Sequence, residues 1–390
     1  MTSDNAPVTA DDLPLPVGTR LLHIGPQKTG TSGLQAAFHA ARRRVEAQGV
    51  HYAGANRQPR KAAIAAASGE ESSRAEDRGA RGKHWRALLR DVRGSTAARL
   101  LISSEAFGEA EPGAIREIVD ALDPRRVHVV VTLRPLDRIL PSQWQQAVQG
   151  GTTIPYEVWL ANVLDRPSSG DAKAFWHRHR HHELVARWVA VVGGSNVTAV
   201  VVDDGRPEAA LRAFERLLEL AEGTLAPVAE GANRSLTRSE VELVRAAHTV
   251  FRDADVSTRI RLDVVTRGMA AGVKGRHPDH GEPRVVTPEG LRDRVRAASR
   301  EIVDGLGASG VRIIGDIESL AAEPVARAAG DAAAGLEAWP AIQERALVGV
   351  LHQTGLTRGA ARPAPDLADW STSRLASHMV GRLKGLVRDA

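Results

Sequence analysis

The stretch Leu21-Leu22-His23-Ile24-Gly25-Pro26-Gln27-Lys28-Thr29-Gly30-Thr31-Ser32 constrains this chain more than any other. It reads as a buried strand, a glycine-flanked loop and the first turn of a helix, whose apolar positions Leu34, Ala37, Phe38 and Ala41 follow at helical spacing. Backbone N–H groups in a first helical turn are unpaired and carry the positive end of the helix dipole. A strand–loop–helix turn therefore holds a phosphate without special side chains. Gly25 and Gly30 have the spacing of a phosphate-binding P-loop, but Thr31 stands where that motif places its lysine. The lysine lies inside the loop instead, at Lys28. The anion cradle is kept, while the residue that an NTP-hydrolysing site uses on the β- and γ-phosphates is gone. Lys28 can reach a bridging oxygen between two anionic groups, where a cation stabilises a leaving group as its charge develops. Thr31 and Ser32 add hydroxyl donors. The plainer alternative is an ordinary strand-to-helix turn with Gly and Thr as breakers.

A second element fits the first. The β-branched run Val127-His128-Val129-Val130-Val131-Thr132-Leu133 predicts a buried strand. It ends in Arg134-Pro135 and leads into a polar-faced helix carrying Ser142. If the chain turns from strand into helix there, Arg134 and Ser142 can face one phosphate, the first bidentate and the second as a hydroxyl donor. Pro141, directly before Ser142, is expected to disturb that helix.

Together these segments resemble the sulfotransferase family. Gly25-Pro26-Gln27-Lys28-Thr29-Gly30-Thr31-Ser32 looks like that family's loop for the 5′-phosphosulfate of PAPS (3′-phosphoadenosine 5′-phosphosulfate), in wording closest to the heparan-sulfate N-sulfotransferases. Arg134 and Ser142 match its 3′-phosphate pair in type and spacing, and Lys274-Gly275-Arg276 resembles its late basic segment over the 3′-phosphate. The resemblance implies an α/β fold with a P-loop-like parallel sheet flanked by helices. It also implies PAPS as cofactor and sulfuryl transfer to a hydroxyl or amine of a sugar, lipid or small metabolite. On this reading Gln27, Lys28, Thr29, Gly30, Thr31, Ser32, Arg134, Ser142, Lys274 and Arg276 hold the cofactor, and Lys28 and Glu105 act in catalysis.

The order of elements agrees. Arg99 to Glu105 reads as a strand with a polar end, Pro112 to Leu122 as a helix, and Asn196 to Val202 as a later strand. Such β–α–β alternation implies a parallel sheet with its ligand site at the carboxyl ends of the strands, where Gly25, Glu105 and Arg134 all fall. The expected organisation is a loose tail over 1–19, one α/β domain over 20–320, and an Ala-rich helical extension over 321–390. Residues 53–83 suggest a loop with a short helix near Arg60–Ala67. Trp144, Trp159, Trp176 and Trp188 sit at helical spacings and read as core.

Composition sets the outer bounds. The chain has 390 residues, a net charge of +5 and no cysteine, so disulfides, thiolate metal sites and cysteine nucleophiles are excluded. A mildly basic chain suits an anionic cofactor. No aromatic-interleaved basic patch suggests nucleic acid. The first residues have no apolar core of a secretory signal, and no run has the length to span a bilayer, so a cytoplasmic protein is expected.

Sulfuryl transfer to a hydroxyl needs a base for the acceptor proton. Glu105 lies at a strand end between the two cofactor motifs and is the first choice; its plainer role is capping the turn Ala106–Gly108 or pairing with an arginine. His51, after the first helix, is the second choice, and His23 packs in its strand. In His177-Arg178-His179-Arg180-His181-His182-Glu183, His177 and His181 would share one helix face, but the intervening arginines repel a metal ion, and no metal site is expected. The alternative activity is a P-loop phosphotransferase using ATP and Mg²⁺, with Asp203-Asp204 as the available metal carboxylates. A non-catalytic nucleotide-binding scaffold is the third reading.

Overall fold

The structure, a computed structural model, describes residues 14–69, 75–228, 234–279, 281–322 and 337–354. Short β-branched runs that bury both faces pair in parallel and need helical crossovers to do so. Among the described residues there are six strands, β1 (Arg20–His23), β2 (Val50–Tyr52), β3 (Arg99–Ser103), β4 (Val127–Leu133), β5 (Val197–Val201) and β6 (Arg312–Ile314), of which β4 and β5 follow this pattern most fully. They form a single all-parallel sheet in the order β2-β3-β1-β4-β5-β6. β1 lies in the middle, with His23 in register with Ser103 of β3 on one side and Val130 of β4 on the other. The chain runs outward from β1 to one edge and then crosses to β4. The loops after β1 and β4 therefore face each other across the point where strand order reverses, where ligands of such sheets bind.

The helices are α1 (Thr31–Ala40), α2 (Arg42–Ala47), α3 (Arg60–Ala67), α4 (Ala75–Gly94), α5 (Pro112–Ala121), α6 (Leu136–Gln149), α7 (Tyr156–Asp165) and α8 (Gly170–His179). They continue with α9 (His181–Val192), α10 (Glu208–Leu218), α11 (Arg238–Asp253), α12 (Thr258–Arg261), α13 (Ala271–Lys274), α14 (Arg292–Gly307) and α15 (Trp339–Gln353). A π-helical stretch, Leu262–Ala270, joins α12 to α13. Among the described residues no helix is long and apolar enough to cross a membrane.

Alternation along the strands divides the core in two. Leu22, Ile24, Ile102, Val129 and Val131 point to one face and pack under α5, α6, α9 and α14. Leu21, Leu101, Val130 and Val200 point to the other, against Leu34 and Phe38 of α1 and Leu211, Phe214 and Leu217 of α10. The four tryptophans read as core are all buried in the first cluster. Phe38 is fully buried between Tyr52 and Phe214, at ring distances of 5.4 and 6.1 Å.

Several local expectations change. The helix of α6 runs through Pro141 without a break: the missing N–H removes one bond near the helix start and leaves the rest of the ladder. The segment 174–192 is two helices rather than one, parted at Arg180 (φ −75°, ψ 80°), so His177 and His181 do not share a helix face. β2 was not expected. Of the supposed tail, 1–13 lie outside the described residues, while Leu15 is buried, donates its N–H to Leu217 O (3.0 Å) and accepts from Arg99 Nε (2.6 Å). Of the supposed extension, 323–336 and 355–390 lie outside the described residues. Its described helix, α15, buries Ile342, Ala346 and Val350 in the same core as the sheet. It meets the π-helical stretch and α13 backbone to backbone: a Cβ on Gly349 would press on Gly268 O and lie 2.8 Å from Gly272 Cα. Glycine there holds the chain that leads to Lys274.

Phe38→Ala should destabilise the protein by ~3–5 kcal/mol, the range for truncating a fully buried aromatic; urea unfolding reads this, and a loss under ~1 kcal/mol would show that the α1–α10 face repacks.

Candidate functional site

The loop after β1 is shaped by its glycines. Gly25 has φ +80°, and a Cβ there would lie 2.8 Å from Glu105 Cβ and 3.0 Å from Glu105 Cα. Only glycine permits this contact, which sets the loop directly against the end of β3. Lys28 is itself left-handed (φ 67°), and Gly30 (φ 82°) is the residue before α1. No side chain caps α1, and its first turn has no acidic residue. Its leading N–H groups are thus unpaired by side chains and unneutralised. Thr29 is turned inward: its hydroxyl donates to Pro26 O (2.7 Å) and lies 2.7 Å from Thr132 Oγ1. Thr31 is buried, Gln27 half-buried and Ser32 exposed.

Positive charge converges on this loop. Burial lowers the Lys28 ammonium pKa first; Lys274 and Arg134 lower it further, against an opposing pull from Glu105. Burial, then Arg234, lowers that of Lys274. Among the described residues neither lysine's ammonium group has a hydrogen bond or ion pair. Arg134, at the end of β4, braces the loop by donating Nη1 to Lys28 O (3.2 Å). Its Nε and Nη2 grip Asp204 at the end of β5, at 3.0 and 2.7 Å. Arg138 approaches the same carboxylate at 3.8 Å.

A cavity of about 1180 Å³ opens beside the loop. Its lining includes Thr29, Gly30, Arg134 and Ser142 together with the apolar side chains Val202 and Leu211, and Val202 lies directly beside Gly30. This mix of polar and apolar lining suits an anionic ligand with a flat apolar portion.

Glu105 lies on the other side of the loop, as the first residue of a short 3₁₀ turn, Glu105–Glu109. That turn is capped by Ser104, whose Oγ accepts from Ala106 N, so Glu105 is not the cap. Its Oε2 accepts from Gln35 Nε2 at 3.3 Å, and among the described residues it has no arginine partner. Gln35, Ser103 and Thr132 were not singled out from sequence. Gln35 falls on the same helical stripe as Leu34 and Phe38, and a polar residue on an apolar stripe is the signal that marks it. His23 packs as expected: it is fully buried, edge-on to Phe214 at 5.3 Å, and burial pushes its pKa down to about 3.

Other candidates are drawn away from the loop. Arg276 is buried in an ion cluster, bonding Glu240 through Nε (3.0 Å) and gripping Glu282 with both terminal nitrogens. Its guanidinium is engaged within the protein, while Lys274 of that triplet acts on the charge of Lys28. His51 sits in β2 rather than a free loop and bonds Asp91 Oδ1 at 3.1 Å, so it is held as a structural pair. His177 faces Glu109 O (3.2 Å), while His179 bonds Gln143 (2.9 Å). Among the described residues no group of three or more His, Asp or Glu is placed to hold a metal. Asp203 is tied to Gly205 N (2.8 Å) and Arg206 (2.9 Å), and Asp204 to Arg134.

No family model matches the chain, and neither does any curated protein. A sulfotransferase from Alicyclobacillus acidocaldarius is among the solved structures to which it is similar, at 17% identity and a TM-score of 0.39, over 61% of this chain and 95% of that one.

The buried histidines predict a pH dependence. Burial lowers the folded-state pKa of His23 and His181 to about 3 and of His128 to about 4. The unfolded chain takes up these protons near pH 6.5 and the folded chain does not, so this stability is present above pH 6.5 and lost on acidification. Between pH 7.5 and 5.5 each buried histidine should cost about 1.4 kcal/mol of unfolding free energy. Urea midpoints at the two pH values read the sum, and His128→Gln should flatten the slope by one such share.

Proposed function

We propose that this protein is a sulfotransferase that moves a sulfuryl group from PAPS to a hydroxyl or amine of a small acceptor. The observation that carries the reading is the loop of α1: an uncapped helix N-terminus facing Lys28 and Lys274, two lysines without an ion pair among the described residues, with Arg134 beside them. Partly buried cations held together without an anion are unfavourable, and a ligand with two anionic groups removes the cost. The cavity beside the loop has the room and the apolar side chains for a nucleoside. The residues thus fit PAPS, which when bound supplies an activated sulfuryl group on a phosphate leaving group.

The chain's own parts then have distinct tasks. The α1 N–H groups and Lys28 hold the 5′ end and stabilise negative charge as it develops on the leaving oxygen. Lys274 adds a second cation at the same place. Arg134 and Ser142 hold the 3′-phosphate; Arg134 keeps an N–H on Nη1 and one on Nη2 beyond those given to Lys28 O and Asp204. Glu105, across Gly25 from these cations, takes the acceptor proton. The transition state of such a transfer is loose, so placement and charge matter more than covalent chemistry.

The phosphotransferase alternative is disfavoured by Asp203 and Asp204, the strand-end carboxylates a Mg²⁺ ion would need. Both are bound to arginines.

Calorimetry in EDTA separates the readings. Adenosine 3′,5′-bisphosphate should bind, and ATP should not. Arg134→Ala should weaken the bisphosphate ~10- to 100-fold, the worth of a charge-assisted pair. Lys28→Ala should lower kcat ~100- to 1,000-fold with a smaller change in affinity. Glu105→Gln should slow turnover and leave bisphosphate binding near normal. ATP binding that requires Mg²⁺, without bisphosphate binding, would replace this proposal with the phosphotransferase.

A further inference from the structure

The polar groups between Glu105 and the anion loop form one continuous buried chain. Gln35 Nε2 lies 3.3 Å from Glu105 Oε2 and 3.2 Å from Ser103 Oγ. Ser103 Oγ is 2.8 Å from His23 Nδ1, and His23 Nε2 is 3.2 Å from Thr132 Oγ1. Thr132 Oγ1 is 2.7 Å from Thr29 Oγ1, which donates to Pro26 O at 2.7 Å. Gln35, Ser103, His23, Thr132 and Thr29 are all buried, and they come in turn from α1, β3, β1, β4's end and the loop.

Distances and a proton count together give the direction. Thr29 donates its one hydroxyl proton to Pro26 O at 2.7 Å, and of the two acceptors within reach of the Thr132 hydroxyl, Thr29 Oγ1 at 2.7 Å and Gly25 O at 3.2 Å, the nearer takes its proton. Thr132 has no second proton for His23, so His23 Nε2 carries the hydrogen and donates. The imidazole is neutral in its apolar surroundings, which leaves Nδ1 bare to accept from Ser103. Ser103 in turn accepts from one N–H of Gln35. The other N–H of that amide points to Glu105. From Gln35 to Pro26 O each hydrogen bond runs the same way, while the amide's other N–H runs to Glu105, and every proton of the chain has an acceptor. Such a chain polarises its members in series.

We propose that Gln35 is a positioning residue for Glu105: it aims the carboxylate and, through Ser103, His23 and Thr132, holds it in register with Thr29 of the anion loop. The proposal rests on the reading of Glu105 as the base. It adds a physical tie between the two halves of the site, the one that takes the proton and the one that holds the anion. Breaking the tie should leave both halves present and misaligned.

Two readouts on the full-length protein test it, one without turnover. In ¹⁵N–¹H NMR, His23 should show the Nε2–H tautomer. Glu105→Ala should shift one Gln35 side-chain amide proton and leave the other in place, while Ser103→Ala should shift the second. The Nδ1–H tautomer, or Gln35 protons indifferent to Glu105→Ala, would overturn the chain. For turnover, Gln35→Met keeps the side chain's length and removes its donors. Release of adenosine 3′,5′-bisphosphate from PAPS should fall ~10-fold in kcat, with bisphosphate affinity within ~2-fold of wild type. In a Glu105→Gln background the same substitution should cost nothing further. An equal loss in both backgrounds would show that Gln35 acts by some route other than Glu105. A wild type that shows the NMR pattern but never consumes PAPS would sink the sulfotransferase reading and leave the chain standing.

Discussion

Everything at the carboxyl edge of the sheet is arranged around one electrostatic fact: positive charge is gathered at the start of α1, and among the described residues its two lysines have no ion pair. The helix contributes its dipole and unpaired N–H groups, Lys28 and Lys274 contribute ammonium charges, and Arg134 contributes a guanidinium paired with Asp204. Holding such charges together costs free energy, and the fold supplies it from the packing beneath. Both faces of the sheet are covered by tightly buried side chains, and β1 is paired on both sides, so the loop cannot relax by fraying. Strain and like-charge repulsion persist at a site only when the surrounding structure over-determines it.

The same packing explains why the two halves of the site stay together. Gly25 touches Glu105 because no side chain intervenes, and the Gln35–Thr29 chain crosses three adjacent strands at the same level. The described part of the C-terminal region belongs to this arrangement. Helix α15, in a region that reads as an appendage in sequence, packs backbone to backbone on the stretch that ends in α13, and α13 carries Lys274.

What the sequence made legible was local or strongly periodic. β4 and α3 appear at the expected bounds, because a β-branched run and a short Ala-rich helix announce themselves within a few residues. The β–α–β alternation placed Gly25, Glu105 and Arg134 at one sheet edge, since helical crossovers make the strands parallel and bring their carboxyl ends together. The less legible features depend on partners distant in sequence. β2 is only Val50–Tyr52 and exists through its pairing with β3. The break at Arg180 splits a pattern that is apolar on both sides of it. Glu240 and Glu282, far from Arg276 or unmarked in the pattern, take its guanidinium. A single glutamine on a helix usually faces water, and the burial of Gln35 follows from Leu34 and Phe38 on the same stripe.

The most direct measurement is the titration of the Lys28 ammonium by NMR, in the free protein and with saturating adenosine 3′,5′-bisphosphate. The account predicts a Lys28 pKa below that of an ordinary lysine in the free protein, because burial and two neighbouring cations disfavour its charge, and a rise when the ligand's anionic groups arrive. A Lys28 that titrates as an exposed lysine and ignores the ligand would contradict the claim that this loop is an anion seat.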